Sequence, residues 1–399
     1  MSQANPPADP VVLAQGRGRV LMGVLLVLAV AAGAVSGWWW SIDPRRAVFS
    51  YLTAWLFVTS LSVGALAWLM LLHLTGAVWS VAVRRLLENL TRPLPWIAIG
   101  FLPIALNLEG LYPWADPSRL VSDPELARKA VLLNPLLFIV RAAIYLGFWA
   151  LLAGILGRQS NRQDRTGDPA SSGRMRATSA WGLVVLSLTT SSAAFEWMMS
   201  LDPHWVSTIF GVYFWTGSLL GSVAAIILFV LCFRRLGLLR HTITVEHLHD
   251  LGKLLFSFVV FWAYIAFSQY FLIWYANLPE ETGWYITRRT GDWNILSWGL
   301  FFGHFLVPFV ILLSRAVRRD PFWLGFIAAW ILVFHYLDLY WMIMPARHAA
   351  DVAPSWIDLS ILLTLVFLFG AVVAHACQGR ALVPVGDPRL ADSIAFHQS

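Results

Sequence analysis

Charged residues and cysteines are both scarce in this sequence. Only 13% of its 399 residues are Asp, Glu, Lys or Arg, and its two cysteines are Cys232 and Cys377. Two cysteines, each at the end of a different apolar segment, exclude a disulfide framework and a cysteine-based zinc site. The CxxCH, P-loop and GxGxxG patterns are also missing. We therefore expect no covalently bound cofactor and no nucleotide-phosphate loop in this chain.

Hydrophobic residues make up most of the remaining composition. They account for 58% of the chain, 22 residues are tryptophan, and the mean hydropathy is +0.67. These values lie far outside the range of soluble domains, so the predicted fold class is an all-α polytopic membrane protein surrounded by lipid. The net charge of +6 is spread over many loops and does not form one basic patch, so no nucleic-acid partner is expected.

Ten apolar segments are long enough to form membrane helices, which need about 20 residues each. They cover residues 20–40, 49–74, 94–111, 134–156, 178–199, 207–232, 252–277, 295–313, 323–344 and 356–376. Lys and Arg are concentrated in the tails and in alternate loops, so the positive-inside rule places both termini in the cytoplasm. Tryptophans at positions 38–40 favour a retained first helix over a cleaved signal peptide. The basic stretch VAVRRLLENL after the second segment is expected to lie along the inner surface.

A faint internal repeat divides these segments into two units. The stretch WWSIDPRRAVFSYL after the first segment resembles MMSLDPHWVSTIF after the fifth. Duplication of a four-helix bundle explains this pattern, and the alternative is that Asp-Pro recurs because it starts helices well. The predicted organisation is an N-tail at 1–19, a first bundle at 20–156, a mobile polar linker at 157–177, a second bundle at 178–313, additional helices at 314–376 and a C-tail at 377–399.

The segment at 252–277 carries hydroxyl groups at helical spacing. At 100° per residue one helix face carries Lys253, Ser257, Tyr264, Ser268 and Tyr275, over about 33 Å. Hydroxyls gain nothing from contact with lipid, so we expect this stripe to face a bundle interior, where it conducts protons or holds a polar headgroup. The alternative is that the hydroxyls bond to neighbouring helices as packing contacts.

Ionisable side chains within the segments form a second set of candidates, because each costs about 2.5 to 3.5 kcal/mol on insertion and needs a partner or a wet cavity. Those near the outer ends are Arg141, Glu196, Asp202, His335 and Asp338, and those at the inner ends or the centre are His73, His249, Asp250, Lys253 and His304. Functionally, they suggest an outward-opening cavity that moves protons or receives a quinol headgroup.

Depth and spacing refine these candidates. Arg141 and Glu196 lie at similar depth and are predicted to form an ion pair, and His335 and Asp338 share one helix face. Each candidate also has a structural alternative. Asp202 could reach the lipid headgroup region, as Glu109 and Asp358 are expected to do, and the side chains of His73 and Lys253 could extend to the membrane surface. His304 could serve only to hydrogen-bond neighbouring helices.

Four stretches resemble the NrfD-related membrane subunits of bacterial alternative complex III. They are FSYLTAWLFVTSLSVGALAWLMLLHLTGAVWSVAVRRLLE, AFEWMMSLDPHWVSTIFGVYFW, HDLGKLLFSFVVFWAYIAFSQYFLIWYANLPEET and LDLYWMIMPARH. The ten-segment length and the HLTGAVWSV ending are more similar to ActF-like than to ActC-like subunits.

The resemblance implies a subunit of a respiratory quinol:electron acceptor oxidoreductase. Its partners would be an ActC-like membrane subunit, an iron-sulfur subunit and cytochrome c subunits, which carry the iron-sulfur clusters and haem c. This chain would supply a membrane scaffold and a proton path, with quinone or quinol as a possible contact. The positions that match the polar path groups of the family are Glu196, Asp202, His249, Asp250, Lys253, Tyr264, Ser268, Tyr275 and Asp338.

Two other functions fit parts of the pattern. Duplicated halves with intramembrane charges are typical of secondary transporters, although the paired mid-membrane Gly/Pro breaks of such proteins are missing and Pro103 and Pro308 are isolated. A structural anchor for peripheral subunits is the third interpretation, in which the polar side chains serve packing.

Overall fold

The computed structural model describes residues 11–348, 352 and 354–397. Regular structure among these residues is helical, apart from two isolated β-bridges that join Val12 to Ala381 and Leu13 to Gln378. Because the bridges tie the two tails together, both tails lie at one end of the helical bundle. We call this the terminal end and the opposite one the far end. The predicted all-α membrane fold is confirmed.

Helices follow one another along the whole described chain. The first part contains α1 (Gln15–Ile42), α2 (Pro44–Thr75), α3 (Val81–Leu90), α4 (Leu94–Ile99), α5 (Leu102–Ala105), α6 (Leu108–Leu111), α7 (Pro117–Ser122), α8 (Pro124–Lys129), α9 (Pro135–Thr166) and α10 (Ala170–Trp197). The second part contains α11 (Phe210–Arg235), α12 (Val245–Ala276), α13 (Pro279–Arg289), α14 (Gly291–Gly299), a π-helical turn (Leu300–Leu306), α15 (Val307–Leu313), α16 (Arg315–Arg319), α17 (Pro321–Ile343), α18 (Trp356–Cys377) and α19 (Leu390–Ile394).

Eight stretches of the described chain are long and apolar enough to cross a membrane. They are α1, α2, α9, α11, α12, the continuous run from α14 to α15, α17 with the short turn after it, and α18. These stretches match eight of the ten predicted segments. The fifth predicted segment is helical as α10, but its many serines and threonines make it less apolar than the others.

The third predicted segment, at 94–111, is not one continuous helix. It is divided into α4, α5 and α6. Pro103 explains the break between α4 and α5, because it has no N–H to bond the Ile99 carbonyl and its ring clashes with the turn before it. The pieces still run along α2, where Trp55 Nε1 donates to the Ile97 carbonyl at 2.9 Å. The expectation of a regular third helix is wrong, although the chain follows the path that such a helix would take.

The residues predicted as a mobile linker, 157–177, are mostly helical. Since α9 continues to Thr166 and α10 begins at Ala170, the chain leaves the helical conformation only over the three residues between them. Gly167 ends α9 at a φ of 63°, a left-handed conformation that glycine adopts without steric cost. The extension of α9 packs against α3, so the expectation of an irregular linker is wrong.

α3 is buried along its whole length. Its charges are paired within the protein, Arg84 with Asp387 of the C-tail and Arg85 with Asp164 of α9, while Glu88 contacts both arginines. The C-tail and α9 therefore cover the polar side of α3. The predicted position of this stretch along the inner surface is wrong for that reason.

α2 is the central helix of the fold. It packs against α3, α10, α11, α17 and α18, which include helices of both predicted bundles. Gly64 permits the contact with α11, because a Cβ at this position would lie only 2.1 Å from the Ser218 carbonyl oxygen. Small residues of this kind let membrane helices approach closely. The groups that α2 carries, Ser60 among them, are thereby brought against the second half of the chain.

Candidate functional site: a buried aspartate and histidine cluster

Asp338 lies in the packed core between α11, α12 and α17, with 1% of its surface exposed. The Tyr213 hydroxyl of α11 donates to its Oδ1 at 2.6 Å, and Trp262 Nε1 of α12 donates to its Oδ2 at 3.1 Å. No basic side chain of the described residues forms an ion pair with it. Ionisable groups held in this way inside membrane proteins mark proton relays or polar ligand sites.

His335 lies one helical turn before Asp338 on α17, and both face the core, as their spacing predicts. His335 Nε2 is 2.8 Å from Ser60 Oγ of α2, whereas Nδ1 has no hydrogen-bond partner among the described residues. Gly217 and Gly221 of α11 make room for the ring, since a Cβ at Gly221 would lie 2.8 Å from His335 Cδ2. The position of the imidazole therefore depends on glycine in the facing helix.

His304 is fully buried and lies on the π-helical turn at 300–306. Pro308 explains that turn, because it has no N–H to bond the His304 carbonyl four residues earlier and its ring clashes with that carbonyl in a regular helix. The His304 ring centroid is 4.1 Å from that of Trp262 and 6.5 Å from that of His335. Neither His304 nitrogen has a hydrogen-bond partner among the described residues.

We call this group the buried cluster; its members are Ser60, Tyr213, Trp262, His304, His335 and Asp338. Buried polar atoms in proteins nearly always have partners, so the unpaired imidazole nitrogens stand out as atoms that remain free to donate or accept a hydrogen bond. A carboxylate, a phenol and two imidazoles together can accept and donate protons. No group of three or more metal-ligating residues occurs in the described part of the chain. The arrangement favours proton chemistry in the membrane core.

Arg141 and Glu196 form the predicted ion pair near the far end. Arg141 Nε lies 2.6 Å from Glu196 Oε1, and the Tyr145 hydroxyl donates to the same oxygen at 3.0 Å. Together with Arg128 and Lys129 they line a cleft of about 680 Å³. The prediction from depth is confirmed, and the pair lies in a cleft with further basic side chains.

The inner-end candidates lie at the terminal end of the structure. Lys253 Nζ is 2.6 Å from Asp250 Oδ1, and His249 is buried beside them on α12. His73 of α2 lies 3.0 Å from Ser179 Oγ of α10 through its Nδ1. The fourteen candidate residues named in the sequence analysis therefore do not form one site. They lie in the buried cluster, at the two ends of the bundle and, as described next, on the outer surface of α12.

The hydroxyl stripe of α12 faces outward. Ser257 is exposed, Ser268 is half-buried, and Tyr264 and Tyr275 are 64% and 76% exposed. The buried face of this helix carries Trp262, which is about 200° around the helix from Tyr264 at 100° per residue. The expectation that the stripe faces the interior of this bundle is wrong, because the apolar face of α12 packs against α11 and α17 instead.

The three acidic residues expected near the headgroups differ in their surroundings. Glu109 is exposed and Asp202 is half-buried in the turn before α11, apart from the buried cluster. Asp358, in contrast, is buried and contacts Arg46 at 2.7 Å and Ser50 Oγ at 2.5 Å. The headgroup interpretation is therefore wrong for Asp358, whose charge is balanced within the protein.

Sequence reasoning missed several polar contacts of the core. Sequence analysis singled out none of Tyr213, Trp262 and Ser60. Their role follows only from the hydrogen bonds that join them to Asp338 and His335. Arg288 was also missed: it is buried, and its Cζ lies 3.3 Å from the centre of the Trp284 ring. Burial lowers the pKa of Arg288 to about 9, which leaves the guanidinium charged at neutral pH.

Comparison of the chain with protein-family models and with curated proteins found no match. The fold and the buried cluster define a polytopic α-helical membrane protein with a group of titratable side chains in its core.

Proposed function

We propose that this chain is a membrane subunit of a bacterial quinol:electron acceptor oxidoreductase of the alternative complex III type. Its buried cluster would be part of a proton path, and partner subunits would carry the electrons. The observation that carries the proposal is the surroundings of Asp338. This buried carboxylate has two hydrogen-bond donors and, within the described part of the chain, no basic partner, and it lies near two imidazoles whose unpaired nitrogens likewise have no partner there.

α12 connects the cluster with the terminal end. Asp250 and Lys253 lie near its start, and Trp262 contacts Asp338 farther along the same helix. The 12 residues from Asp250 to Trp262 correspond to about 18 Å of helix. A proton entering from the cytoplasm would cross this distance through water, because the buried face between them is mainly apolar.

The sequence indicates which cofactors this chain would leave to its partner subunits. The chain has no CxxCH haem-attachment motif and two separated cysteines. Electron transfer in such a complex would therefore use haem c and iron-sulfur clusters of the other subunits, while this chain provides the scaffold and the protonatable groups.

A structural anchor is the second candidate function, and the outward stripe of α12 favours it. Tyr264 lies near the middle of a long membrane helix, where its exposed hydroxyl would find no partner in lipid. A neighbouring membrane subunit with a hydrogen-bond acceptor at this depth would satisfy it.

Purification in mild detergent tests the proposal directly. We expect tagged chain to co-purify with c-type cytochromes, visible in reduced-minus-oxidised spectra, and with quinol oxidation activity. A colourless chain that purifies alone would overturn the proposal. Normal turnover and proton translocation after Asp338→Asn substitution would leave only the anchor function.

A further inference from the structure

A cleft at the far end of the bundle is lined by more positive than negative charge. It has a volume of about 680 Å³ and lies between the end of α8, the start of α9 and the end of α10. Its basic side chains are Arg128, Lys129 and Arg141, and its acidic side chain is Glu196. A cleft lined in this way attracts an anion.

The three basic side chains differ in how far their charge is already balanced. Arg141 pairs with Glu196 at 2.6 Å, and Lys129 pairs with Glu125 at 2.7 Å. Arg128 is exposed and forms no hydrogen bond or ion pair with another residue of the described chain. Its guanidinium is therefore the group that remains available to an anion from outside the protein.

The cleft lies where α9 enters the membrane. Between Leu136 and Leu156, which are about 30 Å apart along the helix, Arg141 is the only charged residue of the sequence. Its guanidinium extends back toward the start of the helix, since Nη2 donates to the Leu132 carbonyl at 2.7 Å. The charge of Arg141 is therefore held at the depth of the lipid headgroups.

Beyond the cleft, the same face of α9 is apolar and open to lipid. Ile144 and Leu151 follow Arg141 on this face and are 58% and 56% exposed. The helix rises by about 15 Å from Arg141 to Leu151, which is the thickness of one leaflet. Val131, which lines the cleft, is 76% exposed. A molecule with an anionic head and a hydrocarbon chain as long as one leaflet matches both parts.

We propose that this cleft binds an anionic phospholipid. The lipid phosphate forms an ion pair with Arg128 beside the pair of Arg141 and Glu196, and one acyl chain lies along α9 over Ile144 and Leu151. This site does not depend on the proposed function, because only the cleft and the lipid-facing side of α9 define it. A soluble anion would bind at Arg128 without covering the apolar face, and the experiment separates the two ligands.

Lipid binding to the delipidated full-length chain tests the site. Native mass spectrometry in detergent measures the affinity for phosphatidylglycerol and for phosphatidylcholine with the same acyl chains. Arg128→Gln removes the free charge, Arg128→Glu reverses it and Arg128→Lys keeps it. Because Arg128 is exposed, these substitutions should leave the fold intact. The matched control is Arg119→Gln, at an exposed position of α7 outside the cleft.

We expect the unsubstituted protein to bind phosphatidylglycerol more tightly than phosphatidylcholine. Arg128→Gln should weaken phosphatidylglycerol binding about 5-fold and Arg128→Glu about 25-fold, since a basic side chain near the lipid phosphates contributes roughly 5-fold for each unit of charge. Arg128→Lys should weaken it less than Arg128→Gln, because the charge is retained. Arg119→Gln should bind phosphatidylglycerol as the unsubstituted protein does, and phosphatidylcholine binding should be the same for every protein.

Equal affinity of the unsubstituted protein for the two lipids overturns the inference, and so does an equal loss of phosphatidylglycerol binding in Arg128→Gln and Arg119→Gln. Inorganic phosphate distinguishes a lipid from a soluble anion. If it displaces phosphatidylglycerol at equal concentration, the cleft recognises a free anion and the lipid assignment is wrong. If phosphatidylglycerol stays bound, the acyl chain contributes to binding as the exposed face of α9 requires.

Discussion

Trp262 and Asp338 are joined by a hydrogen bond from the indole Nε1 to the carboxylate Oδ2 at 3.1 Å. The bond links α12, whose start carries Asp250 and Lys253, to α17, which carries both Asp338 and His335. A change of protonation at Asp338 would therefore act directly on α12 through this contact.

Asp338→Asn tests the role of the carboxylate. The amide has nearly the same shape but cannot take up a proton, so the proposed function predicts that quinol oxidation by the complex slows at least about 100-fold. Tyr213→Phe should have a smaller effect, about 10-fold, because one hydrogen bond to the carboxylate is lost. Asp292→Asn, at an exposed position on α14, is the control and should retain full activity. Equal rates for all three proteins would exclude Asp338 from the path.

Pro308→Ala tests the origin of the π-helical turn. Alanine restores the missing N–H, so the helix can rewind and rotate His304 out of the buried cluster. We expect turnover to fall to the level of His304→Ala, while the free energy of unfolding rises by up to about 3 kcal/mol. Pro321→Ala, at the first turn of α17 where proline is tolerated, should change neither quantity. A less stable Pro308→Ala protein would contradict this explanation of the turn.

A double-mutant cycle measures the pair of Arg141 and Glu196. Each side chain is largely buried, so Arg141→Met and Glu196→Gln should each lower the free energy of unfolding by leaving a charge without its partner. The double substitution should cost less than the sum, with a coupling energy of about 0.5 to 3 kcal/mol. If the two effects were additive, the contact between Arg141 and Glu196 would contribute nothing to the free energy of unfolding.

The contact of Asp387 with Arg84 predicts a pH dependence of C-tail docking. Burial alone would raise the pKa of Asp387, but the attraction of Arg84 and the hydrogen bonds of the carboxylate lower it below its usual value. A lowered native pKa means that the stabilisation is complete above the ordinary aspartate pKa and is lost as the pH falls through the native one.

Hydrogen exchange of residues 384–397 measures that docking. We expect protection at neutral pH and a loss of protection below about pH 4, the ordinary aspartate pKa. Asp387→Asn should show weak protection at every pH. If the protection of residues 384–397 in the unsubstituted protein did not change with pH, the Asp387 carboxylate would not be what holds the C-tail in place.

Composition and hydrophobic segments were sufficient to predict the fold class and the position of most membrane helices, because burial in lipid demands long apolar stretches. The same reasoning failed at 94–111, where the proline positions outweigh hydropathy. It also failed at 157–177, because Asp164 pairs with Arg85 of α3 and accepts a hydrogen bond from the Gly386 N–H of the C-tail, and such distant partners leave no local pattern.

The candidate site was predictable only where spacing decides orientation. His335 and Asp338 face the core together, and Arg141 meets Glu196, as their spacing and depth indicate. The α12 stripe was assigned to the wrong side because a periodic set of hydroxyls shows that a face exists but not what it contacts. Tyr213 joins the site through packing of α11 against α17, which no sequence period encodes.

The burial of α3 has a consequence for the order of folding. Its Arg84 pairs with Asp387, which lies 303 residues later in the chain. The polar side of α3 is therefore covered only when the segment after α18 returns to it, however early the membrane helices form. A chain cut before Asp387 would leave Arg84 with Glu88 as its acidic partner and the polar side of α3 uncovered at the terminal end.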